Sequence, residues 1–180
     1  MKRDDIKAHT CCFFGHRKID ETEELKNALY GIIEDLIINE KVDTFLFGSK
    51  SEFDKQCLKI VTALKEKYPH IKRIYVRAEY QYINDSYRNY LLESYEDTYY
   101  PHHIERSGKA AYVERNCEMI NNSKFCVVYY DENYLPPRRR NSKRALVDYQ
   151  PKSGTKIAYE YAIKKGLNII NVISWRDSCS

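Results

Sequence analysis

Three short segments of this chain combine glycine with residue types that bind anions. They are Gly15-His16-Arg17, Gly48-Ser49-Lys50-Ser51 and Ser153-Gly154-Thr155. Glycine lets the backbone turn tightly and lets a ligand come close to its amides. Arginine grips phosphate or carboxylate through two parallel hydrogen bonds, and the amides at a helix start attract anions. The residue types therefore indicate binding of a phosphate or carboxylate group.

Each segment also has a purely structural interpretation. Arg17 can be a solvated arginine beside a histidine that caps a loop, and Ser51 can simply cap the helix that follows it. Ser153 or Thr155 can likewise be an ordinary helix cap. The segment at Gly48 matches neither the P-loop pattern nor the dinucleotide pattern G-x-G-x-x-G, so it does not identify a phosphate loop by itself.

Catalytic and metal-binding patterns are sparse. His102 and His103 are adjacent and so point in different directions, which argues against joint metal binding. The six cysteines form no C-x-x-C pair and have no zinc spacing with histidine. We therefore expect no metal site. If the chain is an enzyme, Asp54 and Glu160 are the candidate acid–base residues.

Alternating apolar segments predict the elements that position these loops. We predict strands over residues 9–14, 44–47, 71–76, 125–130 and 168–173, and helices over residues 21–40, 52–67, 85–95, 109–122 and 153–165. Such strand–helix alternation indicates a parallel sheet with right-handed crossovers. The predicted fold class is α/β, a Rossmann-like three-layer fold with a mostly parallel sheet of about five strands and helices on both faces. Ligands of such sheets bind beyond the carboxyl ends of the strands, where the three loops fall.

Two segments stand apart from this alternation. Residues 79–108 hold seven tyrosines and are predicted to be a tyrosine-rich insertion. It would be a flap over one sheet edge or a wall on which a base stacks. Residues 131–152 form a predicted basic loop, which would be a solvated loop, a lid over an anionic ligand or a nucleic-acid contact. Its first basic residues are Arg138, Arg139, Arg140, Lys143 and Arg144.

Composition and charge limit the number of domains, the location and the class of ligand that the sequence allows. A chain of 180 residues, 43% of them apolar, supports one domain over residues 1–180. No apolar run is long enough to span a membrane, and the scattered cysteines favour a cytoplasmic protein. Residues 136–156 hold seven basic residues and one acid, which leaves 23 basic and 25 acidic residues elsewhere. This concentration next to Ser153 favours an anionic small ligand over a broad nucleic-acid surface.

In this order and spacing, the motifs resemble the SLOG superfamily, specifically its YpsA-like branch, which is related to the Lonely Guy and DNA-processing protein A folds. The resemblance covers nearly the whole chain, with anchors at residues 12–17, 45–54, 115–131 and 153–162. It implies a domain that binds a nucleotide or a nucleotide-derived ligand, such as one like NAD or ADP-ribose. The positions that match the family's pocket are Gly15, His16, Arg17, Gly48, Ser49, Asp54, Arg115, Asn116, Ser153, Gly154 and Thr155.

The expected function follows from this resemblance and from one difference between this chain and the Lonely Guy enzymes. Lonely Guy enzymes carry P-G-G-x-G-T-x-x-E, whereas Ala158 stands three residues after Thr155 here and Glu160 stands five after it. We therefore expect ligand binding, as a sensor or regulatory protein, ahead of catalysis. The alternatives are a nucleotide-processing hydrolase and nucleic-acid binding through residues 138–144. The only cofactor expected is a bound nucleotide; self-association is left open, and no membrane partner is expected.

Overall fold

The computed structural model describes residues 3–136 and 152–174 of the chain. A parallel sheet of six strands runs through its centre, in the order β4-β3-β2-β1-β5-β6. The strands are β1 (Thr10–Gly15), β2 (Thr44–Phe47), β3 (Lys72–Val76), β4 (Asp97–Tyr99), β5 (Phe125–Tyr129) and β6 (Asn168–Asn171). The predicted Rossmann-like α/β fold is confirmed, with six strands rather than about five and with every pair parallel.

The helices cover the two faces of the sheet unequally. They are α1 (Arg3–Ala8), α2 (Glu23–Ile38), α3 (Glu52–Lys67), α4 (Asp85–Leu92), α5 (Lys109–Asn121) and α6 (Gly154–Lys164). The apolar side chains of α2, α3 and α4 join one core cluster, and those of α5 and α6 join another. We call the two sides the α2 face and the α5 face. This division follows from right-handed crossovers, because the chain moves outward from β1 to β4 and then returns beyond β1.

The central strand β1 shows how the sequence builds both layers. Cys11 and Phe13 belong to the core on the α2 face, whereas Cys12 and Phe14 belong to the core on the α5 face. Successive side chains of a strand point to opposite faces, so a strand buried on both sides is apolar at every position. This pattern is why β1 reads as one continuous apolar run that stops at Gly15.

The described structure corrects two details of the predicted elements. Tyr99, within the predicted tyrosine-rich insertion, belongs to β4 and pairs with Val76. The predicted insertion over residues 79–108 thus contributes an edge strand as well as the short helix α4. A strand of three residues that contains one aromatic residue gives too little periodicity to be predicted. The helix α1, before β1, also carried no clear signal in the sequence.

The predicted basic loop over residues 131–152 falls mostly outside the described residues. Its arginine-rich part, residues 138–144, lies wholly outside them, because the description stops at residue 136 and resumes at residue 152. Within the described residues, no helix combines the length and the apolar character needed to cross a bilayer.

Candidate functional site

The strand order creates a topological switch point between β1 and β5. From β1 the chain proceeds to β2 on one side, and from β5 it proceeds to β6 on the other side. In open parallel sheets, ligands bind in the crevice where the connections diverge in this way. The loop after β1 contains His16 and Arg17, and the loop after β5 contains Asp131.

His16 joins the two loops at this crevice. Its side chain is buried, and its Nε2 accepts a hydrogen bond from the backbone amide of Asp131 at 3.0 Å. Because Nε2 is the acceptor, the proton of the neutral ring lies on Nδ1. Among the described residues, Nδ1 is a buried group with no hydrogen-bond partner. Burial lowers the pKa of His16, although the charge of Asp131 opposes this effect, so the neutral ring is favoured.

Gly15 fits this loop because the core leaves no room for a side chain there. A Cβ on Gly15 would lie 2.4 Å from both the Cβ and the ring of Phe53. Phe53 is fully buried at the start of α3, so it has little freedom to retreat. The Gly15 turn is therefore set by packing between β1 and α3. Arg17, two residues later, has an exposed side chain, while its carbonyl accepts a hydrogen bond from the amide of Glu52 at 2.9 Å.

The loop after β2 is closed by Asp54. The Oδ2 of Asp54 accepts hydrogen bonds from the amides of Gly48 at 3.3 Å and Ser49 at 2.9 Å. Ser51 caps α3 by accepting from the amide of Asp54 at 3.1 Å, and the hydroxyl of Ser49 accepts from the amide of Ser51. The amides of Gly48, Ser49 and Ser51, which the sequence offered to a ligand, are therefore already bonded within the protein.

Arg115 holds the other side of the same loop. It projects from α5, is 4% exposed, and donates from Nη1 to the carbonyl oxygen of Gly48. Its Nε donates to the Oδ1 of Asn116 at 3.1 Å. A Cβ on Gly48 would lie 2.7 Å from the Cδ of Arg115, so glycine is what allows this close approach. Arg115 therefore reaches the end of β2, where its hydrogen bonds go to the protein's own backbone and to Asn116.

Burial shapes the ionisation of this group. It raises the pKa of Asp54 to about 7, although the amides of Ser49 and Gly48 and the charge of Arg115 act in the opposite direction. The second oxygen of Asp54, Oδ1, is buried without a hydrogen-bond partner among the described residues. Burial also lowers the pKa of Arg115, against the attraction of Asp54. An acid that is 3% exposed and bonded to its own loop has no described route to a substrate.

The start of α6 has a different character. Ser153 caps the helix by accepting from the amide of Lys156 at 3.1 Å, and no acidic residue stands in the first turn. The amides of Gly154 and Thr155 have no acceptor within residues 3–136 and 152–174. Gly154 is exposed, and a Cβ built there would meet no atom within 4 Å. Within the described residues, this helix start is thus open to an anion from outside.

Glu160, the other candidate acid, lies further along α6 and faces solvent. Its Oε2 is 2.7 Å from the Nζ of Lys152, and this hydrogen bond lowers the pKa of the Glu160 carboxyl. A carboxylate held in its charged form is unsuited to donate a proton as a general acid. Within the described residues, no group of three or more histidine, cysteine or acidic side chains could hold a metal ion.

Sequence reasoning missed two aromatic contacts at the switch point. Tyr134 stacks on His16 with 4.0 Å between the ring centres, and Tyr130 stacks on Tyr159 of α6 at 4.5 Å. The first contact joins the loop after β1 to the loop after β5, so neither segment alone carries a signal for it. Of the tyrosines in residues 79–108, Tyr80, Tyr82 and Tyr90 are exposed, whereas Tyr87 and Tyr95 pack against the core on the α2 face.

Two open cavities lie at the opposite, amino-terminal edge of the sheet. The first, of about 290 Å³, includes Thr10 and Thr44, the first residues of β1 and β2. The second, of about 440 Å³, lies near the start of β3 and is lined by charged residues that include Lys65 and Glu96. Neither cavity includes a residue predicted for the ligand site.

Among solved structures, the chain is similar to one of a DNA-processing protein. No protein-family model and no curated protein matches the chain. A solved structure of DNA processing protein A from Helicobacter pylori, which concerns that protein's single-stranded DNA binding mode, has a TM-score of 0.48 and 11% sequence identity. The alignment covers 96% of this chain and 80% of that chain. This likeness assigns neither a ligand nor an activity to the chain, and the SLOG resemblance stays a prediction.

Proposed function

We propose that this chain binds a nucleotide or nucleotide-derived ligand at the switch point between β1 and β5. The observation that carries the proposal is the open start of α6, whose Gly154 and Thr155 amides have no described acceptor. These two amides, together with the positive end of the helix dipole, would hold a phosphate group. Arg17 follows β1, the strand next to β5, and its exposed guanidinium would supply the second contact to the phosphate.

The surroundings favour a ligand that carries a ring as well as a phosphate. Tyr134 and Tyr130, both after β5, already stack on other rings at this edge. Aromatic side chains bind the flat face of a base through such contacts. A nucleotide therefore suits the chemistry better than a free inorganic anion. As a sensor or regulatory protein, the chain would respond to the concentration of this ligand.

We favour binding over hydrolysis because neither candidate acid is suitably placed. Asp54 is buried and bonded to the loop of Gly48, and Glu160 is paired with Lys152. A hydrolase that cleaves an N-glycosidic or phosphate bond would need a carboxyl group within reach of the bond. Incubation of concentrated protein with NAD and nucleoside monophosphates, followed by chromatography, tests the alternative. Product formation that is lost in an Asp54→Asn or Glu160→Gln variant would establish hydrolysis.

The test of binding is a titration with AMP, ADP-ribose, NAD and GTP, followed by calorimetry and thermal shift. We expect at least one of these ligands to bind and to raise the melting temperature. Arg17→Ala should weaken that affinity by roughly tenfold or more, whereas Lys18→Ala, another exposed cation beside it, should change it little. No binding by any of the four would overturn the proposal.

Gly154 allows a sharper test of the amide contact. Proline is tolerated at the first position of a helix, and Ser153 has the extended backbone, with φ −68° and ψ 154°, that a following proline requires. Gly154→Pro therefore removes one amide donor while leaving the helix intact. Gly154→Ala keeps the amide and is the matched control. We expect the proline variant alone to lose affinity; equal affinity of both variants would exclude this amide as a ligand contact.

Nucleic-acid binding is the second candidate, and the basic segment over residues 138–144 favours it. That segment leads along the chain toward Ser153 and the start of α6. Fluorescence anisotropy with a single-stranded oligonucleotide, at low and at moderate salt, separates the two candidates. A polymer bound through its phosphates loses affinity steeply as salt rises. Steep salt dependence, abolished when Arg138, Arg139 and Arg140 are replaced by glutamine, would favour nucleic acid as the ligand.

A further inference from the structure

The α5 face of the sheet is incompletely covered at its amino-terminal edge. The core on this face joins α5 and α6 to β1 and β5, and it also includes Leu46 of β2 and Val76 of β3. The cavity of about 290 Å³ opens at that edge, and Leu46, Ile74 and Tyr99 contribute apolar surface from β2, β3 and β4. Parallel sheets are normally covered on both faces, because each face is apolar.

The cavity lies beside a projecting apolar residue. Ile6 of α1 lines the cavity and is 48% exposed. The other contributors from the helices are Lys7 of α1 and, near the end of α5, Glu118 and Asn122. One surface thus presents an exposed apolar side chain next to a hollow that can receive one. We call this surface, made of Ile6, Lys7, Leu46, Ile74, Tyr99 and Glu118, the α1 surface.

The α1 surface also carries one positive and one negative side chain, Lys7 and Glu118, which do not form an ion pair with each other. Lys7 makes no ion pair within residues 3–136 and 152–174. Glu118 lies 3.5 Å from the Nε2 of His103, a contact that counts as an ion pair only when the histidine is protonated. A cation and a carboxylate therefore line the same cavity without pairing with each other.

We propose that the α1 surface docks the α1 surface of a second copy of this chain around a two-fold axis. Such an interface places the same surface on both partners, so the surface must be complementary to itself. Ile6 beside a cavity, and Lys7 with Glu118 at that cavity, meet this requirement. Ile6 of each copy enters the cavity of the other, and Lys7 of each copy pairs with Glu118 of the other. A different protein would need to match only one member of each pair, either Ile6 or the cavity and either Lys7 or Glu118. The presence of both members on one surface therefore favours a second copy of this chain.

The first test measures the mass of the full chain in solution by light scattering and sedimentation, over a series of concentrations. We expect a monomer–dimer equilibrium. Ile6→Asp should raise the dissociation constant of the dimer by about tenfold or more, because a charge would have to enter an apolar cavity. Ile163→Asp is the matched control, since Ile163 is 55% exposed on α6 and does not line the cavity. A wild-type chain that is monomeric throughout would overturn the proposal.

The second test exchanges the charges. Lys7→Glu alone and Glu118→Lys alone should each weaken the dimer, because each places like charges opposite each other across the interface. The double variant Lys7→Glu/Glu118→Lys should recover most of the wild-type dissociation constant. Circular dichroism of each variant checks that the fold is kept. A dimer that neither single exchange weakens uses another surface, and that result also overturns the proposal.

Discussion

Gly15 and Gly48 end two neighbouring buried strands, yet their loops differ in what they leave free. At Gly48 the amide is bonded to Asp54 and the carbonyl to Arg115, so the loop is closed by the protein itself. After Gly15, the guanidinium of Arg17 remains exposed. A glycine at the end of a buried strand therefore does not by itself indicate a ligand-binding loop. The loop is available to a ligand only if no side chain from the following helix accepts hydrogen bonds from its amides.

Removal of Arg115 should have the largest effect of the variants that test this difference between the Gly48 and Gly15 loops. Arg115→Met should lower the free energy of unfolding by about 3–5 kcal/mol, because it leaves the buried carbonyl of Gly48 without a donor and Asp54 without a compensating charge. Urea denaturation measures the change. Arg88→Met, at an exposed position on α4, is the control and should have little effect. A small effect of Arg115→Met would mean that the Gly48 loop is not closed by this contact.

Ionisation of Asp54 should make the stability depend on pH. The folded-state pKa of about 7 lies above the ordinary value of 3.8, so the folded protein holds a proton that the unfolded chain releases. The free energy of unfolding should therefore fall as pH rises from about 4 to about 7, by roughly 3 kcal/mol.

The control for this pH dependence is Asp54→Asn, which can still accept from the loop amides but cannot ionise. Urea denaturation at a series of pH values compares the two proteins. We expect the stability of the wild type to fall relative to the variant across this range of pH. Parallel curves for the two proteins would show that the pKa of Asp54 is not raised.

The packing at Gly15 should give a somewhat smaller effect. Gly15→Ala places a Cβ 2.4 Å from Phe53, and an overpacked core of this kind costs about 1–3 kcal/mol of stability. The matched control is Gly31→Ala in α2, where a Cβ meets nothing within 4 Å. That control should raise stability by about 0.5–1 kcal/mol, because alanine favours a helix over glycine. Thermal denaturation distinguishes the two signs.

The fold was largely predictable because its signals are local and repeated. The long helices α2 and α3 and the buried strands β1, β2 and β5 each carry several apolar residues in one pattern, so their positions agree with the prediction to within a few residues. The strand β4 was not predictable, since its three residues become a strand only through pairing with β3. Sheet order likewise depends on contacts between distant segments.

The side-chain contacts around the Gly48 loop were not predictable from the sequence. The family resemblance assigned Asp54 and Arg115 to one pocket, but it did not show that their hydrogen bonds go to the backbone of the Gly48 loop. That role depends on burial, which raises the pKa of Asp54 and lowers that of Arg115. The stacking of Tyr134 on His16 joins residues 118 positions apart, and no local pattern reports such a contact.

The smallest expected effect closes the comparison between the two loops. Arg17→Ala should change the free energy of unfolding by less than about 0.5 kcal/mol, because the side chain is exposed and makes no ion pair within the described residues. Urea denaturation of Arg17→Ala and Arg115→Met, measured side by side, compares the two changes in the free energy of unfolding. A small stability effect of Arg17→Ala, combined with a loss of ligand affinity, assigns that arginine to binding. A stability loss as large as that of Arg115→Met would mean that both glycine loops are closed by structural arginines, and the open site would then have to rest on α6 alone.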